Sequence, residues 1–173
     1  MREVQVGILM GSDSDWPVMR EAVMVLKELG IGCEALVLSA HRVPERVAAY
    51  ARGAAERGLK IIICGAGCAA HLAGAVAAQT SLPVVGVPLA ASELNGVDAL
   101  YATVQMPPGI PVATMAIGKA GARNAGIFAA QVVALADEAV RERLAAFRSR
   151  MKEAVAEKSQ KIEEEARKIL EAS

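Results

Sequence analysis

With 173 residues and a formal net charge of zero, the chain is long enough for one well-packed domain and short for two. The balanced charge excludes the basic footprint of a nucleic-acid binder or of an anionic-membrane surface. Three cysteines, Cys33, Cys64 and Cys68, show no metal-ligand spacing, so no metal is expected and the cytoplasm is the expected compartment. The first apolar run is broken by Gln5 and Gly7 and has no basic lead, which argues against a secretory signal.

In chain order the first 136 residues alternate strand and helix. Val4–Met10 is a continuous apolar run and predicts a buried strand. Pro17 opens a helix with apolar positions Val18, Met19, Ala22, Leu26 and Leu29, and Gly30 ends it. Ile31–Leu38 predicts the second strand and Pro44–Arg57 the second helix, stopped by Gly58. Leu59–Cys64 predicts the third strand, followed by a small-residue helix around Leu72–Ala78. Pro83–Val87 and Pro111–Ile117 predict the last two strands, with helices near Val97–Val104 and over Ala122–Leu135. Apolar strands, each followed by a helix, need cover on both faces of a parallel sheet. The expected fold is α/β: a flavodoxin-like three-layer αβα sandwich with a five-stranded parallel sheet and a long C-terminal helix.

Ile61 to Ser92 carries no charge, which raises the question of a membrane span. Gly65, Gly67, His71, Gly74, Gln79, Thr80, Pro83, Gly86 and Pro88 cut that stretch into strand-length and short-helix pieces, so none is expected.

Residues 137–173 hold almost half of the charged side chains and contain neither Gly nor Pro. Val140, Leu144, Phe147, Met151 and Ala154 step by three or four residues, which predicts one helix from Asp137 to about Leu170. At 1.5 Å per residue it would run roughly 50 Å, against about 35–40 Å for the rest of the domain. Unless a kink folds it back, it overhangs, and its apolar stripe then needs another chain. Residues 1–136 are thus expected to form the αβα unit that carries the site. Residues 137–173 are expected to be a helical extension of the same domain, used in homo-oligomerisation.

The candidate chemistry lies in loops that follow strands, where open α/β sheets bind ligands. Ser39-Ala40-His41-Arg42 puts a hydroxyl, an imidazole and a guanidinium in one strand-to-helix loop. His41 can give and take a proton near neutral pH, and Arg42 can clamp a phosphate through two nitrogens. Gly11-Ser12-Asp13-Ser14-Asp15-Trp16 offers hydroxyls and amides ahead of a helix, as an anion requires, although Ser14 or Asp15 could equally be ordinary caps. This loop is neither a Walker A loop nor a dinucleotide fingerprint. Ser12, Ser14, Asp15 and Ser39 are the substrate-binding candidates of these two loops. Gly65-Ala66-Gly67-Cys68-Ala69-Ala70-His71 brings backbone close to whatever lies over the sheet and adds Gly67 and His71 as substrate-binding candidates. Gln105–Pro111 is a stiff connection that could wall the pocket.

Taken together and in order, these loops resemble those of a known family. The matching pieces are Met10–Trp16, Ser39–Arg42, Gly65–Gly67 through Ala69–Leu72, Gly86–Pro88, Gln105–Pro107 and Gly118–Gly121. They resemble the N5-carboxyaminoimidazole ribonucleotide mutases, the class I catalytic subunits of phosphoribosylaminoimidazole carboxylase. Cys68 and Ala73 depart from the commonest family pattern, which has Gly and Pro there. Class II members carboxylate aminoimidazole ribonucleotide directly with carbon dioxide and carry Lys after the Ser-Ala-His triplet. Arg42 and His71 therefore resemble class I.

The resemblance implies an αβα fold, a homo-octamer with C-terminal helices embracing neighbouring subunits, and a small-molecule nucleotide substrate. It implies a carboxyl group moving from the exocyclic nitrogen of an aminoimidazole to a ring carbon. One acid/base group serves both ends, and His41 is the candidate. That chemistry calls for no metal, flavin or ATP, and no cofactor is expected. An apolar, enclosed pocket would keep carbon dioxide from escaping. Direct class II carboxylation and a non-catalytic nucleotide- or flavin-binding module are the competing readings.

Overall fold

The computed structural model describes residues 3–172. Five parallel strands form one sheet: β1 (Val4–Met10), β2 (Gly32–Val37), β3 (Ile61–Gly67), β4 (Val84–Leu89) and β5 (Ala113–Thr114). Their spatial order is β2-β1-β3-β4-β5, so the chain reverses its winding direction at the crevice between β1 and β3. Helices α1 (Trp16–Glu28) and α5 (Lys119–Val133) cover one face. Helices α2 (Pro44–Arg52), α3 (Leu72–Ala77) and α4 (Val97–Val104) cover the other, and α6 (Glu138–Glu171) follows α5. The expected three-layer α/β sandwich is the observed one. Among the described residues, no helix is long and apolar enough to cross a membrane.

Local chemistry accounts for the helix ends. Ile31 N–H donates to the Leu26 carbonyl and Gly30 N–H to that of Lys27, with Gly30 at φ 74°, so a left-handed glycine closes α1 and turns the chain into β2. α2 stops at Arg52 rather than Arg57, because the turns beyond it tighten. Ala54 N–H donates to the Ala51 carbonyl and Gly58 N–H to that of Ala55, and Gly58 takes φ 91° as the chain leaves for β3.

Strand ends differ in instructive ways. β4 continues through Pro88 to Leu89, beyond its expected end at Val87. The Pro88 carbonyl accepts from Gly118 N–H on the β5 side, past the last β4–β5 pair at Gly86 and Thr114. A missing N–H there removes no ladder bond. β5 is only two residues long. β2 reads as a buried run in sequence but is an edge strand, with Leu36 and Val37 exposed.

The first turns of α6 are docked on the domain. Asp137 Oδ1 accepts from Val140 N–H at 3.0 Å, which caps the helix. Val140, Leu144 and Phe147 join the core beneath α1 and α5. Arg143 Nε donates to the Leu29 carbonyl at 2.6 Å, and Arg150 meets Glu28 at 2.9 Å. From Arg148 to Ala172 every residue is exposed. The helix overhangs as expected, but Val140, Leu144 and Phe147 of its apolar stripe are covered by its own chain.

Candidate functional site

Register brings the site loops to one level. Met10 is paired with Val37 on one side and Gly65 on the other, so β1 and β2 end together at the switch point while β3 continues to Gly67. Their following loops surround a cavity of about 240 Å³. Ser12, Ser14, Asp15, Ser39, His41, Arg42, Gly67 and His71 all line it, joined by Cys68 and Ala91. The sequence candidates, spread from Ser12 to His71, thus share one concavity. Gln105–Pro111 is not part of its wall.

The first loop is internally tied. Ser12 N–H donates to Asp15 Oδ2 at 3.0 Å, and Ser14 N–H donates to Ser12 Oγ at 3.4 Å. This reciprocal pair caps the 3₁₀ turn Asp13–Asp15 that precedes α1. Partial burial pushes the Asp15 carboxyl above the ordinary carboxylate value, and the amide hydrogen bonds only partly offset that.

The second loop carries the cation and the acid/base candidate. Arg42 N–H donates to Ser39 Oγ at 3.3 Å, and Arg42 Nη2 donates to the Gly11 carbonyl at 2.9 Å, which ties the loops after β1 and β2 together. The remaining guanidinium nitrogens have no protein partner among the described residues. On the far side of Arg42 lies a second groove of about 410 Å³, lined by Ser12, Asp13, Ser39, Arg42 and Arg46 among others. Arg46 was not singled out in sequence; its i+4 spacing from Arg42 on a helix start was the available signal.

The two histidines of the chain meet. His41 Nε2 lies 2.8 Å from His71 Nδ1, with ring centroids 5.0 Å apart and planes at 75°. His71 stands immediately before α3 and makes no capping bond, so its ring is available for this contact.

The third wall depends on close backbone approach. Gly67 pairs with Leu89 across β3 and β4. A Cβ on Gly67 would come within 2.5 Å of Ala91 Cβ, so only glycine lets the loop after β4 pack here. Cys68 follows in the left-handed region at φ 52°, an uncommon conformation for a side chain with a Cβ. Its Sγ donates to the Ala91 carbonyl at 3.4 Å. The loop after β4 escaped sequence reading, although a strand's carboxyl end marks such positions.

Contrary to the enclosed pocket expected, the cavity is open in the single chain: His41, Arg42, Cys68, Ala69, His71 and Ala91 are all exposed. Among the described residues, no group of three or more His, Cys, Asp or Glu side chains could hold a metal ion. A proton donor or acceptor, a guanidinium and several hydroxyls around a small apolar floor can bind a phosphorylated molecule and move one proton on it.

Residues 5–154 match the family described as AIR carboxylase. A Mycobacterium tuberculosis protein named N5-carboxyaminoimidazole ribonucleotide mutase is 52% identical over 95% of this chain and 94% of its own length. A Vibrio vulnificus protein of the same name is 55% identical over 88% of this chain and 94% of its own. The crystal structure of Treponema denticola PurE superposes with a TM-score of 0.81 at 26% identity, covering 91% of this chain and 97% of that one.

Proposed function

The chain belongs to the AIR carboxylase family, and on that premise we propose that it isomerises N5-carboxyaminoimidazole ribonucleotide to 4-carboxyaminoimidazole ribonucleotide in purine biosynthesis. The observation that carries this reading is the convergence of His41, Arg42, Ser39 and the Gly11–Asp15 loop on one cavity at the switch point. A carbamate loses carbon dioxide readily once its nitrogen is protonated. The aminoimidazole left behind is electron-rich at its ring carbon, which attacks the released carbon dioxide. His41 gives a proton to the exocyclic nitrogen and takes back the one displaced from carbon, so a single group serves both halves.

Arg42, with Ser12, Ser14 and Ser39, is assigned to the phosphate, and Asp15 to the ribose hydroxyls. Gly67 and His71 bound the end of the cavity where the base would lie. Relatives at 52% and 55% identity that carry the mutase name favour this reaction over direct carboxylation by carbon dioxide.

The chain acts in the cytoplasm as a homo-oligomer, an octamer. Exposed apolar residues support association: Leu94, Val97, Tyr101 and Val104 form one stripe at α4, and Val155, Ile162 and Ile169 recur every seven residues on α6. A neighbouring copy over the open cavity would supply the enclosure that the single chain lacks.

The test feeds purified protein N5-carboxyaminoimidazole ribonucleotide and follows the carbon-carboxylated product. A parallel reaction starts from aminoimidazole ribonucleotide and bicarbonate. Efficient turnover of the carbamate is expected. Turnover of the second mixture alone would move the chain to direct carboxylation, and bound flavin without either activity would move it to a binding module.

A further inference from the structure

Resting on the reading of His41 as the acid/base group, we propose that His71 is a positioning residue that holds His41 in one tautomer, with Nδ1 turned to the substrate. A 2.8 Å contact between His41 Nε2 and His71 Nδ1 needs one N–H and one lone pair. Two protons or two lone pairs facing each other would be repulsive. The hydrogen bond made by one imidazole nitrogen sets what the other nitrogen carries.

His41 makes no other side-chain hydrogen bond among the described residues, so Nδ1 is the nitrogen left for chemistry. A group that first gives and then recovers a proton at Nδ1 keeps its Nε2–H throughout. The partner at Nε2 must therefore be an acceptor in both states, which makes His71 the Nε2–H tautomer with a lone pair on Nδ1. The step then balances. The Nδ1 proton of cationic His41 goes to the exocyclic nitrogen as the N–C bond to the carboxyl group breaks. The ring carbon bonds to carbon dioxide, and its displaced proton returns to Nδ1. Throughout, His41 Nε2–H donates to His71, which never exchanges a proton with the substrate.

The position of the contact atom gives the assignment a sharp chemical signature. An asparagine oxygen can occupy nearly the place of a histidine Nδ1, whereas a leucine offers no acceptor. The chain has two histidines, so nitrogen–proton correlation spectra of the full-length, histidine-labelled protein contain only these two rings, and no substrate is required. Both rings are expected as Nε2–H tautomers, with a hydrogen-bonded His41 Nε2–H that disappears in His71→Leu and persists in His71→Asn. In the turnover assay His71→Leu should lower kcat on the order of 100-fold while KM changes little, the pattern of misplaced chemistry rather than lost binding. His71→Asn should recover most of that loss. An Nδ1–H tautomer for His41, or a leucine variant that raises KM and leaves kcat unchanged, would overturn the proposal. The spectra stand apart from the assigned reaction: if no variant or substrate showed turnover, the function would fail while the tautomer remained measurable.

Discussion

Replacing the ring of His41, the proposed proton carrier, removes no helix cap and no core contact, because its one side-chain bond runs to another imidazole. His41→Asn is expected to keep substrate binding within about tenfold and to lower turnover by a factor on the order of 100 or more. Near-normal turnover would end the assignment. Arg42 already commits Nη2 to the Gly11 carbonyl. Arg42→Lys keeps the charge but cannot hold that carbonyl and a phosphate together, so the substrate Kd should rise measurably in a titration. Asp15 offers a pH test. Burial raises its carboxyl above 3.8, so just above that value the folded chain binds more protons than the unfolded one. The stability contribution is complete below 3.8 and is lost as pH rises through the raised value. Asp15→Asn lacks this titration while keeping an oxygen for Ser12 N–H. Melting temperatures across a pH series should therefore favour the variant increasingly from acid toward neutrality. A constant difference would show that Asp15 carries no such penalty.

Among the elements, α1 depends on a single backbone conformation at its end. Gly30 at φ 74° lets Gly30 and Ile31 return their N–H groups to the last turn. For any residue with a Cβ that conformation costs about 1–2 kcal/mol. Gly30→Ala should lower the urea midpoint accordingly with an unchanged slope, because the unfolded surface is the same. Full stability in that variant would mean that the chain can leave α1 by another path. The glycine stop was legible in sequence because it is local. The shortened α2 was less so: its end depends on how the turns from Gly53 to Gly58 settle before β3.

At the scale of the whole molecule, α6 has two parts with different roles. Val140, Leu144 and Phe147 sit in the core, at roughly 1.5–3 kcal/mol for each large apolar side chain buried. That is a large share of the roughly 5–15 kcal/mol that typically separates folded from unfolded states. Ending the chain at Ala136 should unfold or aggregate it. Ending it at Arg150 keeps these residues and the Arg150–Glu28 contact. The protein should then fold with the full-length circular dichroism per residue of its domain but sediment as a smaller species. An unchanged sedimentation coefficient, corrected for mass, would show that the exposed arm has no part in assembly.

Order and type of the elements were readable from sequence because apolar period, proline starts and glycine stops act over a few residues. The resemblance of the loop motifs also pointed to the family, and the carboxyl-end rule pointed to the loops carrying Ser12, His41 and Gly67. Strand pairing is a long-range choice, and periodicity does not contain it. Only the tertiary structure therefore set β2 at the edge, reduced β5 to two residues, and joined the α6 start to α1 and α5. It likewise brought His41 and His71, thirty residues apart, to 2.8 Å. Each strand's end is written locally, but the distance between two loops is decided by the register of the strands beneath them.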